Sequence, residues 1–236
     1  SDAMPDSALI YIMGDTLCTG YIENPNTTFY RTFTVVPDSV LVIGVPKEDI
    51  LCNVQDNPFD TTRLIESKGI YIKTEKNIYV YLQTNIADST YKFNSARSNN
   101  MQTAKVPVLP LSLFPTEIDL RHLTSFHLSD VNRLRVLLII AVEDNTTLFI
   151  PELHYNINHS VITFPFTVTL DKGEVLILPL YLFGSSNRNK IITTNCKKVV
   201  FYHTSSRTPF IFDGGVKQFQ SIPNYQLYKG RDFLLV

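Results

Sequence analysis

The sequence predicts an all-β protein made of two similar antiparallel β-sandwich-like halves related by an internal duplication. Three observations predict it: apolar residues alternate or form short runs between turn residues, helical periodicity is nearly absent, and two similar segments occur in the chain. The 12 Tyr and 15 Phe residues suit the surface of a pleated sheet. We therefore expect strands throughout.

Single strands are predicted where an apolar stretch stops at a residue that cannot continue a ladder. Residues 29–36 stop at Pro37-Asp38, and residues 40–45 stop at Pro46. Residues 116–130 carry only an imperfect helical stripe, so loop or strand is favoured over helix there.

Three hairpins are predicted, each with a polar turn between two apolar arms. The first joins residues 69–74 to 78–82, the second joins 133–142 to 146–150, and the third joins 166–170 to 174–178. In the third, Gly173 suits a turn position with φ above zero.

An internal repeat underlies the predicted domain organisation. Residues 70–81 are echoed by residues 191–202, each as strand, polar turn and strand, although a chance likeness between two hairpins is the alternative. A Pro-containing segment follows each copy. The predicted divisions are a cloning remnant at 1–4, a first half at 5–115, a connection at 116–132, and a second half at 133–236 whose last strand is cut short.

The charge balance argues against two classes of partner. Lys and Arg total 21 against 22 Asp and Glu, so no net field draws the protein to nucleic acid or to an anionic membrane. No apolar run approaches the roughly 20 residues that span a bilayer. We expect neither nucleic acid binding nor a membrane span in this segment.

Cysteine usage leaves the redox compartment open. Cys18, Cys52 and Cys196 include no C-x-x-C pair, so no structural zinc site is expected. In an oxidising compartment Cys18 and Cys52 are a possible disulfide, which leaves Cys196 free, buried or paired with another chain. In the cytosol all three are ordinary buried thiols.

Three acceptor patterns for N-glycosylation permit secretion. They begin at Asn26, Asn145 and Asn158. The pattern is short and also occurs by chance, so it permits an extracellular protein without requiring one.

We expect no catalytic site, metal site or cofactor. Gly184-Ser185-Ser186 lacks the G-x-S-x-G spacing of a serine hydrolase, and no Gly-rich loop is placed to cradle phosphate. The His pairs at 122 and 127 and at 154 and 159 fall on opposite faces of a strand. Glu143-Asp144 and Asp213-Gly214-Gly215 are interpreted first as turns and second as cation ligands.

Candidate partner contacts lie in predicted end loops, where β-sandwiches tend to carry their function. These residues are Tyr181, Asn187, Arg188, Asn189, Tyr225 and Tyr228. The many rings would also suit a carbohydrate platform. However, the chain has no Trp, and alternating aromatic residues in strands usually belong to a core.

Several segments together resemble the N-terminal domain of the IgG Fc-binding protein family. They are Ser67-Lys68-Gly69-Ile70, Glu143-Asp144-Asn145-Thr146-Thr147, Leu170-Asp171-Lys172-Gly173-Glu174-Val175-Leu176, Val199-Val200-Phe201-Tyr202, Pro223 and Phe233-Leu234-Leu235-Val236. The resemblance spans most of the chain. Where many animal members have cysteines, Tyr202-His203-Thr204-Ser205-Ser206 contains none.

The resemblance implies a non-enzymatic extracellular or cell-surface module of a larger mucus-associated or surface protein. Its expected partner is a protein or glycoprotein, such as immunoglobulin or another host or mucosal protein, and further domains are expected in the full-length chain. Two alternatives remain at this point: a carbohydrate-binding module, and a purely structural module of a longer surface protein.

Overall fold

A computed structural model describes residues 7–50, 52, 65–86, 102–120, 133–157, 160–180, 191–207, 215–218 and 228–236. Among these residues the helical elements include one short α-helix, α1 (Lys47–Ile50), and one 3-10 turn (Leu111–Leu113). The remaining elements are strands, which confirms the all-β fold class. In chain order they are β1 (Ser7–Met13), β2 (Cys18–Glu23), β3 (Tyr30–Val35), β4 (Leu41–Val45), β5 (Ile65–Ser67), β6 (Ile70–Ile86), β7 (Gln102–Val108), β8 (Glu117–Asp119), β9 (Arg133–Ala141), β10 (Thr146–Ile157), β11 (Ser160–Leu170), β12 (Glu174–Leu180), β13 (Ile191–Thr194), β14 (Val199–Arg207), β15 (Gly215–Gln218) and β16 (Gly230–Leu235).

The first sheet is organised around β6. Its seven strands run in the order β3-β2-β6-β1-β4, with β7 and β16 also paired to β6. The beginning of β6 pairs with β2 and the later part pairs with β1. Between these parts Glu75, Lys76 and Asn77 are exposed, and the partner of β16 jumps from Lys73 to Ile78. A bulge therefore divides β6 into two pairing regions.

The second sheet has nine strands and repeats the connectivity of the first. Its order is β15-β14-β9-β12-β10-β13-β8, with β11 paired to β10 and β5 paired to β12. β1 pairs with β4 and β6 as β9 pairs with β12 and β14, and β2 pairs with β3 and β6 as β10 pairs with β11 and β13. β6 therefore corresponds to β13 and β14 together, which are separated by a turn at Cys196 (φ 67). A duplication as the origin of this likeness stays a prediction.

The two halves complete each other's sheets. β8 lies before the predicted second half and pairs with β13, whereas β16 at the end of the chain pairs with β6. β5 likewise pairs with β12. Phe233 and Leu235 of β16 are fully buried in the common core. Strand pairing therefore crosses the predicted division between the halves, and the division itself stays a prediction.

All three predicted hairpins are wrong in their pairing. β6 runs through residues 75–77 as one strand, β9 pairs with β12 and β14 rather than β10, and β12 pairs with β9, β10 and β5 rather than β11. Among the described strands, consecutive strands that pair with each other are β2–β3, β6–β7, β10–β11 and β14–β15. A turn signal shows where a strand ends, but it does not show which strand lies beside it.

Other local predictions have separate outcomes. The strands predicted at residues 29–36 and 40–45 are confirmed as β3 and β4. Strand is also found at β8, within the segment where loop or strand was favoured over helix. Residues 121–132 lie outside the described residues.

The three cysteines are free thiols in this structure, so the possible Cys18–Cys52 disulfide is not formed in it. Cys18 is buried at the start of β2, and Cys196 is exposed in the β13–β14 turn. Burial raises the pKa of the Cys52 thiol, and a protonated thiol is the unreactive form in disulfide exchange.

Candidate functional site

An open groove of about 770 Å³ lies on the outward face of β2, β3 and β6. Strand alternation creates this face: Ile22 is fully buried, so its neighbours Tyr21 and Glu23 point outward. Pairing then aligns Tyr21 with Thr32 on β3 and with Lys73 on β6. The groove is thus built on regular strands, not on loops.

Tyrosine rings form one wall of the groove. The rings of Tyr21 and Tyr30 stack with centroids 5.7 Å apart and planes 28° apart. The Tyr71 ring lies beyond them, tilted, with its centroid 6.2 Å from that of Tyr21. Tyr30 is 57% exposed, which is unusual for an aromatic residue in a sheet. Its ring is therefore available to a ligand.

Charged residues of both halves contact Tyr71, the tyrosine of this cluster farthest from Tyr30. The Tyr71 hydroxyl donates a hydrogen bond to Asp232 Oδ1 at 2.8 Å. Lys172 Nζ lies 4.0 Å from the centroid of the Tyr71 ring and 3.2 Å from Glu23 Oε1. A cation over the ring face and an ion pair together fix Tyr71 between the halves.

The hydroxyls of Tyr71 and Tyr21 stay protonated at neutral pH. Burial, and then the hydrogen bond to Asp232, raise the pKa of Tyr71. Burial, and then the charge of Glu23, raise the pKa of Tyr21. Both groups can therefore donate hydrogen bonds at neutral pH.

A polar floor lies beside the rings. Thr19, Thr32 and Thr34 are exposed and line the groove, and their hydroxyls make no hydrogen bond to another residue that the structure describes. Gly20 lies among them, and a Cβ there would come within 2.5 Å of Thr74 Cγ2 and 2.8 Å of Phe33 Cζ. Glycine is therefore required at this position, because the Thr74 and Phe33 side chains occupy the space that a Cβ would take.

Two opposite charges flank the far side of the groove. Lys73 and Glu75 are exposed on β6 and line the cavity. Neither forms an ion pair with another residue in the described ranges. Their charges cancel, so the groove presents hydrogen-bonding groups without a net sign.

The second half has the same strand positions but different chemistry. Leu148 and Phe149 pair with Thr194 and Thr193, as Gly20 and Tyr21 pair with Thr74 and Lys73. By this register Phe149 occupies the position of Tyr21, and its side chain is 47% exposed. Here the hydroxyls of Thr147 and Thr169 lie 3.2 Å apart and bond to each other. This face provides a built-in control for the groove.

Most of the predicted contact residues cannot be placed. Tyr181, Asn187, Arg188, Asn189 and Tyr225 lie outside the described residues. Tyr228 is described, and its partly buried side chain packs against the core. The roles predicted for these six residues stay predictions.

The glycosylation acceptors differ in their surroundings. Asn26 is exposed, and its Nδ2 donates to the carbonyl oxygen of Lys172 at 2.9 Å. Asn145 is exposed in a turn with φ 57, and Asn158 lies outside the described residues. Modification of these residues stays a prediction.

Glu143-Asp144 belongs to a turn, as its first interpretation predicted. Asp144 Oδ1 accepts a hydrogen bond from the Lys172 backbone N–H at 3.0 Å, and Asp171 Oδ1 accepts one from the Asn145 N–H at 3.1 Å. The two carboxylates thus join neighbouring turns of the second half. The described residues contain no group of three or more His, Cys, Asp or Glu placed to hold a metal.

Sequence reasoning missed the groove. The available signal was the outward alternation of Tyr21 and Glu23 on one arm and Tyr30 and Thr32 on the next. It was missed because strand aromatics were assigned to the core. No helix among the described residues has the length and apolarity that a bilayer span requires. Comparison of the chain with protein-family models, curated proteins and solved structures finds no match, so no family is shown for this protein.

Proposed function

We propose that the protein is a non-enzymatic adhesion or protein-binding module of an extracellular or cell-surface protein. One observation carries the proposal: a groove walled by two stacked tyrosines, of which Tyr30 is 57% exposed, on the outward face of the sheet. Tyrosine is enriched at binding surfaces because it offers a large apolar ring and a hydrogen-bonding hydroxyl at low entropic cost.

The expected partner is a protein or glycoprotein. The resemblance to the IgG Fc-binding family supports immunoglobulin and mucins as the first partners to test. The exposed acceptors at Asn26 and Asn145 are compatible with an extracellular location.

Binding is tested by surface plasmon resonance with the whole chain over immobilised IgG Fc and purified mucins. We expect saturable binding that Tyr30→Ala weakens at least tenfold and Phe149→Ala leaves unchanged. Both substitutions remove an exposed ring from a sheet face, so their effects on folding are matched. Equal binding by wild type and Tyr30→Ala, or no binding to any partner, contradicts the proposal.

The location is tested on protein purified from its native source. Mass spectrometry is expected to find glycans on Asn26 or Asn145, or oxidised cysteines. Native protein that is fully reduced and unmodified contradicts the extracellular assignment.

A further inference from the structure

We infer that the groove on β2, β3 and β6 binds a neutral oligosaccharide, such as the glycan part of a glycoprotein partner. This inference rests on the proposed binding function and names the ligand class of that site. The volume of about 770 Å³ lies within the usual range for small-molecule sites.

The tyrosine wall fits the apolar face of a sugar ring. Tyr30 is 57% exposed, and its ring is held by stacking on Tyr21 at 5.7 Å, so little side-chain entropy remains to be lost on binding. Tyr21 is itself backed by Tyr71, which the Asp232 hydrogen bond and Lys172 immobilise. A preorganised aromatic plane of this kind suits a flat, partly apolar ligand.

The threonine floor fits the sugar hydroxyls. Thr19, Thr32 and Thr34 present one donor and acceptor each, at alternate positions along paired strands. In the second half the hydroxyls of Thr147 and Thr169 bond to each other instead. The groove face therefore leaves the hydroxyls of Thr19, Thr32 and Thr34 to a ligand with many hydroxyls of its own.

The charges select for a neutral ligand. Lys73 and Glu75 stand together at the groove edge, and the nearby Glu23 is paired with Lys172. An anionic sugar would gain from Lys73 but lie beside Glu75. Both side chains serve a neutral sugar as hydrogen-bonding groups.

The test is an array of neutral, sialylated and sulfated glycans probed with the whole chain, followed by calorimetry with the tightest neutral glycan. We expect neutral glycans to bind. Tyr30→Ala should weaken binding at least tenfold, and Thr32→Val, which keeps the side-chain shape, about 3- to 10-fold. Phe149→Ala should bind as the wild type does. Far-UV circular dichroism and thermal unfolding confirm that each variant is folded.

Three results overturn the inference: no neutral glycan bound at millimolar concentration, a preference for anionic glycans, or an unchanged affinity for Tyr30→Ala. The proposed function is separable from it. If an enzymatically deglycosylated protein partner still binds and Tyr30→Ala abolishes that binding, the module binds protein through the groove and the glycan inference fails. If neither glycans nor proteins bind, both fail.

Discussion

The two halves of the molecule share their strand connectivity but differ in the solvent exposure of corresponding residues. In the first half a row of paired residues, Val42, Tyr11 and Tyr81, crosses β4, β1 and β6. Val42 is 48% exposed, and both tyrosines are partly buried. The corresponding row of the second half, which crosses β12, β9 and β14, consists of Leu176 (1% exposed), Ile139 (0%) and Phe201 (8%).

Residues 111–115, which lie just before the predicted connection, explain part of this difference. Phe114 is buried and packs edge-on against Phe201, with ring centroids 6.4 Å apart. The Val199 N–H donates to the Pro115 carbonyl at 3.2 Å, and Lys198 Nζ reaches the carbonyl oxygen of Leu111 at 3.3 Å. Residues 111–115 therefore pack on β14 and cover its outward side at Phe201.

This comparison indicates where function can lie. A sheet covered on both faces uses its side chains for packing, whereas a sheet with an exposed face can present side chains to a ligand. The tyrosine groove lies on the neighbouring strands β2, β3 and β6, whose counterparts in the second half also leave Phe149 47% exposed. The second half supplies Lys172, which contacts the Tyr71 ring and pairs with Glu23 beside the groove.

The largest expected effect comes from placing an aspartate at corresponding positions of the two faces. Leu176→Asp places a carboxylate in the packed core and should lower the free energy of unfolding by about 3–5 kcal/mol. Val42→Asp, at the corresponding exposed position, should change it by no more than about 0.5 kcal/mol. Urea unfolding measures both. Similar losses for the two variants would show that the faces are equally covered.

The next largest effect on stability is expected from alanine substitutions in the turns before β12 and β4. Gly173 has φ 80, and a Cβ there would lie 2.5 Å from Pro25 Cγ. Gly173→Ala should therefore cost about 3 kcal/mol, from strain and from the clash at the junction of the halves. Asp38 has φ 59 in the other turn, and Asp38→Ala should cost about 1 kcal/mol. Thermal unfolding of both variants measures the two losses of stability. Equal losses would contradict the prediction.

A buried amide in the first half gives the third effect. Asn24 is 2% exposed, and its Nδ2 donates to the carbonyl oxygens of Asp49 at 2.8 Å and Ser67 at 3.0 Å. Asn24→Ala should cost about 2 kcal/mol because those carbonyls lose their donor. Asn26→Ala, at the exposed amide that contacts Lys172, should cost about 0.5 kcal/mol. Urea unfolding measures the loss of stability in both variants. A larger loss for Asn26→Ala than for Asn24→Ala would contradict the prediction.

The smallest effect is a pH dependence that belongs to the second half. Burial raises the pKa of Tyr202 above its ordinary value of 10.0. Above about pH 10 the unfolded chain therefore loses this proton while the folded chain keeps it, so stability falls by about 1.4 kcal/mol per pH unit. Below pH 10 the residue contributes no pH dependence. Comparison of urea unfolding for wild type and Tyr202→Phe from pH 9 to pH 11 should show a shallower decline in the variant.

The candidate site shows how far the sequence reaches. The strand predicted at residues 29–36 places Tyr30 on β3, whereas no strand was predicted at residues 18–23, where β2 carries Tyr21. The stacking of the two rings depends on the register that aligns Glu23 with Tyr30. Lys172 is 149 positions from Glu23 and reaches it only in the folded molecule. No local pattern carries information about such a contact.

The sequence by itself determined that this protein is all-β and where many of its strands end, because a period of two and turn residues are local properties of the chain. It also indicated that residues 70–81 and 191–202 are alike, and the two segments do lie in corresponding strands. Only the tertiary structure decided which strands pair, that β5 and β16 each join the other half's sheet, and which outward face is covered. Those outcomes depend on packing between residues far apart in sequence, since an apolar strand is equally able to pair with several neighbours.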